Sequence, residues 1–172
     1  MISALTCMAI ALYFEARSEP LAGQIAVANV VINRVMDDRY PDNACEVITQ
    51  GRLGSKPTDR ILRGKCQFSF YCDGLSDTPK DLDAFRYAID IASNILGGVW
   101  LDPTEGATHY HSIDVSPVWA KTMIKIVRIE NHIFYKGAKM EVKKEKGFQP
   151  DSARKGGRKS MLMHQGFPDY IK

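Results

Sequence analysis

From Ala4 to Val35 the apolar residues recur at the three- and four-residue offsets of helices. Ala4, Leu5, Met8, Ala9, Ala11 and Leu12 outline a first helix with a broad apolar face, and continuing it carries Glu15 among apolar neighbours. Pro20 suits the first turn of a second helix, where a missing N–H costs nothing. Ile25, Ala28, Val31, Ile32 and Val35 then face a core, while Asn29 and Asn33 share another side. Arg39 to Pro41 ends the helical region, and Cys45 to Gln50 reads as a short helix or turn. Residues 51–65, with four Gly or Pro among five basic side chains, read as a mobile loop long enough to wall a cleft. Gln67 to Tyr71 alternates weakly and predicts a short strand on a cleft edge. Thr78 as N-cap and Pro79 at the first helical position open a third long helix, in which Leu82, Phe85, Ile89, Ala92 and Leu96 form one face and Gly97-Gly98 the stop. Ala107 to His111 reads as a strand, and Met123–Ile129 with His132–Lys136 as a hairpin whose Asn131 tolerates positive φ. The pattern predicts an α+β fold, mainly helical, with a small antiparallel β lobe.

Composition changes the picture mainly at the C-terminal end. The 172 residues are 45% hydrophobic and 25% charged, ordinary for a globular chain. Residues 136–172 hold ten Lys or Arg against four Asp or Glu, whereas residues 1–135 hold 13 against 16, so the net charge of +3 belongs to the tail. One domain, 1–136, is expected to carry the core, and residues 137–172, polar and Gly-rich, a basic and flexible tail. An acidic body without a basic, aromatic-interleaved stripe argues against nucleic acid as partner. No apolar run reaches the roughly 20 residues of a membrane span, so an integral membrane protein is not expected. Met1 to Phe14 is apolar but lacks a basic leader, and its removal would delete the helix leading into Glu15, so it is read as structure rather than a signal peptide. Of four cysteines, a disulfide among Cys45, Cys66 and Cys72, with Cys7 buried and free, stands beside the alternative of reduced thiols.

The chemistry gathers at Tyr13-Phe14-Glu15-Ala16-Arg17-Ser18-Glu19-Pro20. A carboxyl held against an apolar face resists ionisation and can remain protonated near neutrality as an acid, while an adjacent guanidinium pulls the other way and makes an ion pair at a helix end the bland alternative. His109 and His111, two apart on a strand, share one face with Tyr110 on the other. An HxH pair can hold zinc, with Glu15, Asp114 or His132 as a third ligand, yet no HExxH or similar frame exists. No metal and no cofactor is therefore expected.

The run from Glu15 to Pro20, followed by Gly23 to Val35, closely resembles the signature of the cell wall hydrolase family typified by the spore cortex-lytic SleB and CwlJ enzymes. The resemblance resumes at Cys66 to Gly74, Ala107 to His111, Trp119 and His132 to Lys136, covering about residues 4 to 136. Ser18 stands where the family usually has Gly. The resemblance implies cleavage of bacterial peptidoglycan, a lysozyme-like arrangement of a helical lobe and a β lobe across a cleft, and Glu15 as the catalytic acid. Candidate substrate contacts are Gln24, Gln67, Ser69, Tyr71, His109, Tyr110 and His111, with Asn29 and Asn33 either reaching the Glu15 turn or a sugar N-acetyl group or satisfying buried backbone.

A glycosidase of the usual kind needs two carboxylates about 5 to 9.5 Å apart. Glu19 is the possible second one, but it precedes Pro20, which leaves its direction open. With one assured carboxyl, lytic transglycosylase chemistry at the MurNAc–GlcNAc bond fits better. A two-carboxylate muramidase using Glu15 and Glu19, a metal-dependent N-acetylmuramoyl-L-alanine amidase and an inactive wall-binding module are the alternatives. The expected place of action is the cell wall, in the periplasm or outside the cell, with release by a phage holin as the favoured route. The basic tail is a further candidate contact for anionic envelope polymers.

Overall fold

The first apolar stretch forms α1 (Ala4–Ala16), which Ser3 caps by accepting from the Thr6 N–H at 3.2 Å. The structure, a computed structural model, describes residues 3–54 and 60–138. Met8, Ala9, Ala11, Leu12, Tyr13 and Ala16 are all buried, so α1 is enclosed around most of its circumference. Packed against it are α2 (Leu21–Val35), the short α3 (Ala44–Ile48) and α4 (Leu82–Leu96). Leu12, Val27, Val30, Val31 and Ile91 sit in one core cluster at 0–1% exposure, each contributing about 1.5–3 kcal/mol by leaving water.

Two small antiparallel sheets complete the fold. One pairs β1 (Gly51–Leu53) with β2 (Ile61–Cys66); the other has the order β3 (His109–Ser112), β5 (His132–Ala138), β4 (Met123–Ile129). With β5 central, Tyr110 lies opposite Phe134 and Ser112 opposite His132. The C-terminal half of α2 anchors this sheet. Arg34 donates through Nε to the Thr108 carbonyl at 2.7 Å, and Asn33 donates to the Ala107 carbonyl at 3.0 Å and to Asp102 at 2.9 Å. Asp102 in turn accepts from the N–H groups of Thr104 and Gly106, so the entry into β3 is fixed from inside the protein. Burial opposes the Asp102 charge, but these bonds hold its carboxyl below the ordinary range.

The α+β class and the long helices agree with the sequence pattern, and several local expectations need correction. The expected loop at 51–65 contains the β1–β2 hairpin, with residues 55–59 outside the described part. The expected strand at Gln67–Tyr71 is replaced by a 3-10 helix at Ser69–Cys72. The cause is covalent: Cys66 and Cys72 form a disulfide with Cα atoms 6.0 Å apart, whereas six extended residues would separate them by about 20 Å. Cys7 is not free, for it bridges α1 to Cys45 at the start of α3. The cap of α4 is Asp81, which accepts from Asp83 and Ala84, while the Tyr13 hydroxyl takes the N–H groups of Lys80 and Asp81 and holds the preceding segment out of the helix. At the β4–β5 turn Glu130, not Asn131, has the positive φ, of 49°. β5 ends two residues past the boundary expected at Lys136, and the basic stretch after Ala138 lies outside the described residues.

Candidate active site

Glu15 is the penultimate residue of α1, and its half-buried carboxylate lies between the 3-10 helix and β3. Oε1 accepts from the Ser69 N–H at 3.0 Å and from its hydroxyl at 3.3 Å; Oε2 accepts from the Tyr110 hydroxyl at 3.4 Å. Burial raises the Glu15 carboxyl above its ordinary value, and the hydrogen bonds from Ser69 and Tyr110 partly restrain that rise. Its position in the last turn, at the negative end of the helix dipole, also favours the neutral acid. The alternative of an ion pair with Arg17 is not realised, because the Arg17 guanidinium lies over the Tyr13 ring, 4.7 Å from its centroid.

Glu19 points elsewhere. Its side chain is 9% exposed and accepts from the backbone N–H and side-chain amide of Asn131 at 3.3 Å, with His132 Nδ1 at 3.8 Å. Gly23 makes room for it, since a Cβ there would lie 3.1 Å from Glu19 Oε2. Gln24, 4% exposed, donates to the Glu19 carbonyl at 2.9 Å and so fixes the turn between α1 and α2. His132 packs edge-on to Tyr110, with ring centroids 5.1 Å apart. Burial lowers its pKa against the opposing pull of Glu19, which favours the neutral imidazole beside Tyr110. Glu19 is held by Asn131, and His132 Nδ1, without a hydrogen-bond partner, only lies near it while the His132 ring packs on Tyr110.

Of the residues expected to bind substrate, Ser69 and Tyr110 meet at Glu15, and Gln24 supports the turn behind it. Tyr71, 39% exposed, lines a cavity of about 620 Å³ with Leu53, Ile61 and Arg63, and Gln67 lies by the β1–β2 hairpin, its N–H bonded to the Gln50 carbonyl. His109 and His111 occupy the face of β3 opposite Tyr110, flanking Trp119 at 5.4 and 5.6 Å. Both nitrogens of His111 are engaged, with the Ser112 carbonyl and the Tyr135 hydroxyl, and His109 Nδ1 bonds the Thr108 hydroxyl. Burial lowers the His109 pKa to about 4. Among the described residues no three His, Cys, Asp or Glu side chains converge as a metal-binding group. Asn29 bonds the Ile25 carbonyl and Asn33 the approach to β3, so both satisfy structure rather than reach Glu15. The sequence reading missed Asn131 and His132 as partners of Glu19; they lie over a hundred residues away, and nothing local marks the pairing.

Residues 18–135 match the family described as Cell Wall Hydrolase. The chain belongs to that family. Glu15 stands three positions before the matched stretch. Among curated relatives, the spore cortex-lytic enzyme of Halalkalibacterium halodurans is 35% identical over 130 residues, 74% of this chain and 33% of that protein. The Bacillus cereus enzyme of the same name is 31% identical over 132 residues, 75% of this chain and 42% of that one. This cell wall hydrolase chain therefore spans a third to two-fifths of the length of those relatives. Among solved structures, the catalytic domain of the germination-specific lytic transglycosylase SleB from Bacillus anthracis superposes with a TM-score of 0.54 at 32% identity, covering 77% of this chain and 93% of that domain.

Proposed function

We propose that this cell wall hydrolase is a lytic transglycosylase that cleaves the MurNAc–GlcNAc bond of peptidoglycan, with Glu15 as general acid and then base. The observation that carries this reading is a single carboxyl, made hard to ionise by burial and held by Ser69 and Tyr110, while the neighbouring carboxylate of Glu19 is occupied by the β4–β5 turn. Protonated Glu15 gives its proton to the glycosidic oxygen as the bond from the muramyl C1 breaks. The carboxylate that results is stabilised by the Ser69 N–H and the Tyr110 hydroxyl, and it takes the proton of the muramyl 6-hydroxyl as that oxygen closes on C1. No water is consumed, and the product ends in a 1,6-anhydro sugar. The name of the Bacillus anthracis domain agrees with this chemistry.

Glu15→Gln keeps the shape and removes the proton. It should reduce peptidoglycan clearance by at least the roughly 10²- to 10⁴-fold that a general acid supplies, with the fold intact by circular dichroism. Clearance above a tenth of the wild-type rate would contradict the role.

Peptidoglycan is then the partner, and the two disulfides fit work in an oxidising compartment outside the cytoplasm. The relatives named above are bacterial spore enzymes and lend no support to release through a phage holin. Residues after Ala138 keep nine Lys or Arg against four Asp or Glu, which suits attachment to anionic wall polymers. A chain ending at Ala138 should lose salt-dependent binding to sacculi yet still cleave soluble strands; unchanged sacculus binding would remove that role.

A further inference from the structure

A cavity of about 800 Å³ lies between the end of α1, the 3-10 helix and the segment leading into α4, lined by Phe14 and Phe70 but not by Glu15 itself. It joins the candidate active site through two rings. Phe14 precedes Glu15, Phe70 follows Ser69, and the two stack with centroids 5.1 Å apart. The far wall is fixed as well, because the Tyr13 hydroxyl takes two backbone N–H groups there and Arg17 lies over the Tyr13 ring. Arg17 and Lys80 bring positive charge to the lining, and Asp73, Asp77 and Asp81 negative charge. Among the described residues no ion pair joins any of these five. Asp81 is spent on capping α4, and Asp73 accepts from the Leu75 N–H through Oδ1 at 2.7 Å, leaving its other oxygen open. Burial, with the neighbouring Asp73 charge, raises the Asp77 carboxyl, the condition of a group that gains from an arriving cation.

A rigid, aromatic-walled cavity with unspent charges of both signs suits a zwitterionic ligand, and its volume is that of a pocket for a short peptide. A lone anion or metal ion would use only half of it. Resting on the assignment of glycan cleavage to Glu15, we propose that this cavity is the subsite for the stem peptide of the muramyl residue being cleaved, with Asp73 and Asp77 facing the side-chain ammonium of its diamino acid and Arg17 facing a carboxylate. The muramyl sugar then sits beside Phe14 and Phe70, and its peptide descends past them.

The test follows amide chemical shifts of the full chain during titration with the tripeptide L-alanyl-γ-D-glutamyl-L-lysine, and in parallel with the same peptide acetylated on the lysine side chain. Shifts should move in residues 73–81, and acetylation should weaken binding about tenfold through loss of the charge contacts. Asp73→Asn with Asp77→Asn should weaken the unmodified peptide similarly and erase the preference between the two peptides. Equal affinity for both peptides in the wild-type protein, shifts confined to other surfaces, or no shifts at millimolar peptide would overturn the subsite. Peptide discrimination by a protein that releases no anhydro ends would uphold the subsite and sink the transglycosylase reading, whereas anhydro ends without discrimination would do the reverse.

Discussion

At the scale of single residues, Glu15 is set by two opposed influences. Burial and the helix end favour the neutral acid, while Ser69 and Tyr110 favour the carboxylate, the form that the proposed mechanism needs after proton transfer. Because the folded pKa is raised, the stability this group contributes is complete below its unfolded pKa and is lost as pH rises through the folded value. Two outcomes follow. The basic limb of kcat against pH should reflect Glu15 and lie above the ordinary carboxylate range, and removing the Tyr110 hydroxyl with Tyr110→Phe should move that limb further up. Thermal denaturation should show Glu15→Gln gaining on the wild type as pH is raised through the same interval; parallel curves would mean that no buried charge is relieved. The apolar run into Glu15 made its burial legible in the sequence, and the resemblance to the family singled it out as the candidate acid. The sequence could not announce the fate of Glu19, whose direction depends on Asn131 and His132, or of Arg17, which chose the Tyr13 ring over either carboxylate.

At the scale of elements, the two disulfides have separate duties. Cys7–Cys45 joins α1 to α3 across 38 residues, and Cys66–Cys72 closes six residues around the 3-10 helix that presents Ser69 to Glu15. Chain entropy assigns about 4 kcal/mol to the long closure and about 2 kcal/mol to the short one. Replacing Cys7 and Cys45 by alanine should therefore lower the melting temperature more, while replacing Cys66 and Cys72 should lower kcat more by loosening the Ser69 N–H from the carboxylate. The reverse ranking, from melting curves and clearance rates of the two variants, would show that the 3-10 helix holds its shape without the bridge. Periodicity revealed α1, α2 and α4, whose apolar faces are long. It failed between residues 51 and 81, where the structure is set by non-periodic constraints: a short covalent loop, a two-strand hairpin and the Tyr13 hydroxyl holding the backbone before Asp81.

At the scale of the whole molecule, α1 carries Glu15 outward to the seam where β3 and the 3-10 helix meet it, and α2 locks the sheet in place through Asn33 and Arg34. In the proposed reaction, one carboxyl in that seam, with its neighbour engaged, leaves the substrate's own 6-hydroxyl as the nucleophile of highest effective concentration. Glu19→Gln should accordingly change the rate by less than about tenfold, through the charge lost beside His132, and leave the product the same. The most direct measurement is mass spectrometry of muropeptides released from purified sacculi, with and without borohydride treatment. Fragments ending in 1,6-anhydro-muramic acid, lighter than a reducing end by one water and unchanged by borohydride, are expected from the wild type and from Glu19→Gln alike. Reducible muramic acid ends, with Glu19→Gln as inactive as Glu15→Gln, would make the protein a two-carboxylate muramidase, and free peptides beside intact glycan would make it an amidase; either result would contradict transglycosylation by Glu15.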